Sequence, residues 1–218
     1  VIKPSLLLGM GGHARVLLDI LGKRRWPLLG FIAKDDPGRE AFLAGIPVLG
    51  NDESVYEYPA NSVYLINGVG TTGKSTVRRS LYERFISSGY QFATIVHPSA
   101  LLADGIELAK GCQVMAGAVI QPGCFIGENS IINTRAVIDH DCSIGKHVHV
   151  APGAVLCGDV KVEDNVMVGA GATVIQGIYI GADSIIAAGA VVVKDVPAKS
   201  VVMGVPAKAY LGGVSGFG

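Results

Sequence analysis

Between Leu102 and Val192 an aliphatic residue returns at every sixth position, through Leu108, Val114, Ile120, Ile126, Ile132, Ile138, Ile144, Val150, Leu156, Val162, Val168, Val174, Ile180 and Ile186, without one insertion. Four residues after many of these stands a small side chain, as at Ala118, Ser130, Ala136, Ala154, Ala172, Ser184 and Ala190, while Gly, Asp and Asn crowd the positions between. A period of six suits neither a helix nor the alternation of a long strand; it suits short strands separated by tight corners. Three such hexads close one triangular coil, which stacks residues eighteen apart at the ~4.8 Å spacing of neighbouring strands. The sixteen hexads then make about five coils. This architecture is the explanation that thirty glycines call for. The register also accounts for Cys112, Cys124 and Cys142, which fall on the small inward position, where a thiol serves as a compact hydrophobe.

The 218-residue chain is 50% hydrophobic, enough for one large domain or two small ones with a substantial core. Eighteen basic residues balance eighteen acidic ones, so no electrostatic hold on DNA, RNA or an anionic membrane is expected. No apolar run approaches the ~20 residues of a membrane span. The opening VIKPSLLLGMGG lacks the long apolar region and small-residue cleavage site of a leader, so a cytoplasmic location is expected. Four cysteines without a CxxC suggest neither a disulfide framework nor a zinc ribbon.

Residues 1–97 read as alternating strands and helices: SLLLG, HARVLLDILGKRR, PLLGFIA, SVYLI and TVRRSLYERFISSG. That is the pattern of a small parallel α/β, Rossmann-like unit, and it sets the expected domains at 1–97 and 98–218. The loop GMGGHA, Gly9 to Ala14, satisfies G-x-G-x-x-A after a strand and before a helix, with Asp35 and Asp36 further on. A unit this small lacks the second half that a whole dinucleotide spans. The expectation is therefore narrower: backbone amides and a helix N-terminus around Gly11, Gly12 and His13 that receive phosphate. A second loop, GVGTTGKS at Gly68 to Ser75, matches the P-loop pattern. A P-loop NTPase acting through Lys74 is thus a rival reading, opposed by the lack of room after residue 97 for the strand-end aspartate that helps hold magnesium.

Three of the five histidines, His140, His147 and His149, fall with Asp139, Asp141 and Cys142 in AVIDHDCSIGKHVHV. Zinc ligands, catalytic bases and surface imidazoles are the alternatives. His140 lies two positions into its hexad, Cys142 points inward, His147 sits on the next face, and His149 is half a coil away. One chain cannot gather them around a metal with ~2 Å bonds, so no metal is expected. His147 reads as a surface residue. For His140 an adjacent carboxylate favours the protonated ring and lifts its pKa above the ordinary ~6.5, which suits a base working near neutral pH.

Residues 102 to about 197 resemble the hexapeptide-repeat acyltransferases, and GVPAKAY at Gly204 to Tyr210 resembles the segment after their last coil. The left hand of the helix comes from that resemblance, since parallel crossovers are otherwise right-handed. Gly11, Gly12, His13, the Asn67–Gly70 loop, Arg78 and HPSA at His97–Ala100 are together similar to one subfamily. It is the nucleotide-sugar acetyltransferase group, which includes the bacillosamine-pathway and perosamine N-acetyltransferases and the sialic acid O-acetyltransferase-like proteins. The resemblance implies a Rossmann-like domain holding a nucleotide-activated amino-sugar, followed by an all-β left-handed parallel β-helix holding acetyl-CoA. It implies that INTRAVIDHDC carries the base, His140, with Asp141 raising its basicity. Gly158, eighteen residues on, is implied to stack beside the base and offer its N–H to the oxyanion of a tetrahedral intermediate. His149, Ala170 and Ala188 match positions that contact acetyl-CoA, and Gly11, Gly12, His13 and Gly68 match the nucleotide loops. Where the family shows paired acids, FIAKDD puts Ala33 and Lys34 at the base-contacting positions and displaces Asp35.

The implied assembly is a homotrimer with active sites between subunits, which also covers the flat prism faces. The implied reaction is acetyl-CoA-dependent N-acetylation of the 4-amine of a UDP-, GDP- or dTDP-linked 4-amino-4,6-dideoxy sugar for a bacterial surface polysaccharide. O-acetylation of a sialic acid-type sugar and a non-catalytic prism that only binds a ligand or partner are the alternatives.

Overall fold

The structure, a computed structural model, describes residues 3–33, 45–71 and 76–210. Two compact units divide between Ala93 and Thr94. In the first, strands β1 (Ser5–Leu8), β2 (Leu28–Ile32), β3 (Val48–Gly50), β4 (Tyr64–Asn67) and β5 (Gln91–Phe92) form a parallel sheet of order β3-β2-β1-β4-β5. Strand β1 is central and wholly buried, as its uninterrupted SLLL requires. Helix α1 (Gly12–Lys23) buries Ala14, Leu17, Ile20 and Leu21, and α2 (Val77–Ser87) buries Arg78, Tyr82 and Phe85, each along one helical stripe. Because β2 lies on one side of β1 and β4 on the other, the strand order reverses at β1/β4, and ligands of such sheets bind at the carboxyl ends of those strands.

The second unit is a left-handed parallel β-helix, built of the coils of short strands that the hexads predict. From Leu101–Leu102 to Val191–Val192 every two-residue strand ends on a hexad aliphatic, and each pairs in register with the strand eighteen residues away, as in Val137↔Val155, Ser143↔Lys161 and His149↔Met167. The coils form a six-stranded first face, a five-stranded second face and an eight-stranded third face. Hexad residues from Val114 to Val192 point inward and are buried, and so are the small residues of the companion column, including Cys112, Cys124 and Cys142. Full burial stabilises by about 1.5–3 kcal/mol per large aliphatic side chain, so each coil contributes by itself and through its two neighbours. Burial pushes the Cys142 thiol up to about 12, which fits a structural role.

Each corner turns on one left-handed residue three positions after the hexad aliphatic: Gly105, Gly111, Gly117, Gly123, Asn129, Arg135, Asp141, His147, Gly153, Asp159, Asn165, Gly171, Gly177, Asp183 and Gly189 all have φ between 55° and 77°. This is why Gly, Asp and Asn crowd the inter-strand positions. Two details differ from the sequence pattern. The first rung is Ile95–Val96, paired with Gln113–Val114, one hexad upstream of Leu102. After Val192 the register breaks, since Val201 pairs with Ile185 only sixteen residues away.

Candidate active site

In each coil a third-face strand leads through a corner of small residues to the first face, which leads through a second corner to the second face. His140 stands on that second corner, after Val137–Ile138. Its Nδ1 donates to Asp141 Oδ2 at 2.8 Å, and its backbone N–H donates to Asp139 Oδ1 at 2.8 Å. With the Nδ1 proton engaged, Nε2 carries the free lone pair. The ring lies against Gly158 one coil on: a Cβ built there would stand 2.5 Å from both Cε1 and Nε2. Asp141 lies over Gly123 one coil back, where a Cβ would meet its carboxylate. The His–Asp pair is thus bracketed by two glycines. Gly123 and Asp139 were not marked from the sequence; their signal is the eighteen-residue offset from Asp141 and the adjacency to His140.

The hydrogen bond to Asp141, followed by the charge of Asp139, holds the His140 ring above its ordinary pKa, with Asp159 adding in the same sense. The side chain is 61% exposed, so a substrate can reach Nε2. Among the described residues the Gly158 N–H has no acceptor, as an oxyanion donor requires.

Ala170 and Ala188 stack on the small corner, joined by Gly189 N–H to Ala170 O at 2.9 Å, and both are exposed. With Gly153, Gly171 and Gly189 they make the later coils of that edge a strip of small residues, while Thr134, Arg135 and Pro152 stand in the same two columns of the earlier coils. His149 sits on the third face and is only 8% exposed. Asn133 Nδ2 donates to its Nε2 at 3.0 Å, which leaves the ring proton on Nδ1. Asn133 is a further residue the sequence reading passed over. His147, read as a surface residue, is half-buried on the third corner, where Asn129 Nδ2 donates to its Nδ1 at 2.9 Å. His140, His147 and His149 therefore occupy two different corners and a face, and among the described residues no three His, Cys, Asp or Glu side chains gather as metal ligands would. Nor, among the described residues, is any helix long and apolar enough to cross a membrane.

In the first unit the loops after β1 and β4 meet. A Cβ on Gly70 would stand 3.3 Å from His13 Cβ, and one on Gly68 would stand 2.6 Å from Leu8 O. Arg78, 3% exposed, fixes the second loop: its Nη1 donates to Asn67 O at 2.8 Å and Val69 O at 2.7 Å, while Asn67 Nδ2 donates to Arg78 O at 3.0 Å. Gly68 is glycine because the backbones touch. Gly11 and Gly12 are different, because a Cβ on either would meet nothing and neither has a positive φ. Gly11 caps α1 with no side-chain hydrogen bond, and a ligand approaching the helix N-terminus closely is what two glycines there permit. Lys34 and Asp35, expected at the nucleobase, and the Lys74 end of the P-loop match lie outside the described residues.

Comparison with known families matches residues 6–85 to the PglD N-terminal domain and residues 123–158 and 159–194 to the bacterial transferase hexapeptide repeat. Among solved structures, perosamine N-acetyltransferase PerB from Caulobacter crescentus, in complex with CoA and GDP-perosamine, is 34% identical over 96% of this chain and 98% of that one, with a TM-score of 0.85. The acetyltransferase domain of PglB from Neisseria gonorrhoeae, in complex with acetyl coenzyme A, is 28% identical over 96% and 100% of the two chains, with a TM-score of 0.87. WeeI from Acinetobacter baumannii is 25% identical over 96% and 100%, with a TM-score of 0.77. Comparison with the curated proteins found no match.

Proposed function

The chain belongs to the acetyl-CoA-dependent hexapeptide-repeat sugar N-acetyltransferases, and from that premise we propose that it acetylates the 4-amine of a nucleotide-linked 4-amino-4,6-dideoxy sugar with His140 as base. The amine attacks the thioester carbonyl; the new C–N bond forms as the amine proton passes to His140 Nε2. The oxyanion is held by the Gly158 N–H until the C–S bond breaks, and the departing thiolate takes the proton back from the imidazolium. Asp141 keeps Nδ1 protonated and stabilises the charged ring. The single observation that carries this is the His140–Asp141 bond with Nε2 laid against Gly158.

Ala170, Ala188 and His149 take acetyl-CoA in this reading, and Gly11, Gly12, His13 and Gly68 take the nucleotide, with Lys34 and Asp35 assigned to the base. GDP is the first nucleotide to try, because PerB binds GDP-perosamine. A cytoplasmic location and a role in surface polysaccharide synthesis go with these substrates.

The first face supports a homotrimer. Its outward column runs Leu101, Val119, Val137, Val155, Thr173 and Val191, with Leu101 67% exposed, while the second face interrupts its apolar Phe125 and Tyr179 with Glu107, Ser143 and Lys161. An apolar stripe along the whole coil stack is covered only by placing stacks side by side. The first face is bounded by the small corner on one side and the His140 corner on the other. In a closed ring built on it, the His140 corner of one protomer meets the Ala170–Ala188 corner of the next.

The test is thiol release from acetyl-CoA with UDP-, GDP- and dTDP-linked 4-amino sugars and their 4-hydroxy analogues, together with the mass in solution. Release with an amine only and a trimeric mass are expected; release with hydroxyl substrates only would replace this reading with O-acetylation. His140→Ala should lower kcat at least ~10²-fold.

A further inference from the structure

We propose that Arg135 of the partner subunit binds the diphosphate of the nucleotide sugar whose amine faces His140; this rests on the trimeric acetyltransferase reading above. Along the small corner the left-handed positions are Gly117, Arg135, Gly153, Gly171 and Gly189, so one guanidinium interrupts a column of glycines. At φ 56° an arginine side chain crowds its own backbone, at a conformational disadvantage that glycine avoids. Nothing in the coil repays it: Arg135 is exposed, and among the described residues its guanidinium has no hydrogen-bond or carboxylate partner.

Its place in the coil says what it faces. Arg135 and His140 flank the same strand, Val137–Ile138, at opposite corners of the first face. Rotation about an axis parallel to the stack preserves height, so in the ring Arg135 of the partner subunit stands level with His140. The side chain lies over Gly117, with Cγ 3.4 Å from a Cβ built there, and so leans away from Ala170 and Ala188. The phosphates of CoA are a whole pantetheine arm from the thioester, whereas the sugar diphosphate is one ring's width from the reacting amine. The guanidinium fork matches the latter.

Arg135→Gly suits the backbone and should keep or raise Tm and keep the trimer mass. It should raise KM for the nucleotide sugar roughly 10- to 100-fold, the scale of a charge-assisted contact, with KM for acetyl-CoA unchanged, and Arg135→Lys should recover part of the loss. Mixed trimers of His140→Ala and Arg135→Gly chains should regain activity, since each mixed ring holds a site with both residues intact. An unchanged nucleotide-sugar KM, a rise confined to acetyl-CoA, or no regain on mixing overturns the proposal. If His140→Ala is still inactive and the protein still trimeric in those cases, the base and the assembly stand without it.

Discussion

Gly158→Ala separates catalytic geometry from stability at one atom. The added methyl would stand 2.5 Å from His140 Cε1 and Nε2, where ordinary contact begins at 3.4 Å, so the ring must retreat by about 1 Å. The obstacle is the outer end of an exposed side chain, not backbone, and Gly158 has no positive φ. Folding therefore tolerates the change, and Tm should move by less than about 2 °C. Catalysis does not tolerate it. A misplacement of ~1 Å at a reacting group costs ~10²-fold, or about 2.7 kcal/mol of barrier, and it disturbs the 2.8 Å bond to Asp141. The assay is thiol release under saturating substrates for wild type, Gly158→Ala, His140→Ala and the double variant. Since alanine keeps the backbone N–H, the loss runs through the ring, and Gly158→Ala should add nothing once His140 is gone. A wild-type rate for the single variant, or a further ~10²-fold loss in the double, would refute the assignment of the effect to His140.

Three further outcomes follow from the same geometry. Asp141→Asn removes the largest cause of the raised His140 pKa; because the base acts unprotonated, the acid limb of kcat/KM against pH should shift to lower pH while the plateau falls, and an unmoved limb would dissociate the two residues. Gly127→Ala drives a methyl to 2.5 Å from the backbone C and O of Gly145 on the third corner, so it should lower stability by about 1–3 kcal/mol with kcat intact in the folded fraction, as read by Tm and thiol release. Gly12→Ala meets open space and favours helix, so Tm should hold or rise while KM for the nucleotide sugar climbs and KM for acetyl-CoA does not; an unchanged sugar KM would remove this helix N-terminus from the site.

The repeat was legible because it is local: each hexad states its own strand, corner and inward residues, and stacking follows from counting eighteen. His140 beside Gly158 was readable on that basis before any coordinates. The first rung was missed because HPSA, at His97–Ala100, has no Gly, Asp or Asn at the corner position, where Ser99 stands without a positive φ, although Val96 keeps the register. The burial of His147 was misread, and that of His149 not read at all, for a different reason. Their neighbours Asn129 and Asn133 lie eighteen and sixteen residues away, and whether an outward residue is covered depends on side chains that the period does not specify. In the first unit the G-x-G-x-x-A signal marks where phosphate arrives, but Arg78 stood out only by resemblance, since its clamp on Asn67 and Val69 depends on tertiary packing that buries it.

A solenoid sorts its residues into columns, and a column states what the fold asks of a position. At the left-handed corners the fold asks for Gly, Asn or Asp, so Asp141 satisfies the backbone and the site at once, and stability alone would not distinguish it from Asp159 or Asp183. Gly158 is the reverse case: its column otherwise holds Asp104, Pro122, His140, Gln176 and Lys194, so the fold does not ask for glycine, and the imidazole one coil below does. Arg135 departs from a glycine column with no internal partner. Departures from column chemistry that no contact within the chain repays mark where a ligand or another copy of the chain supplies the missing interaction, and both of these departures lie one short strand or one coil from His140.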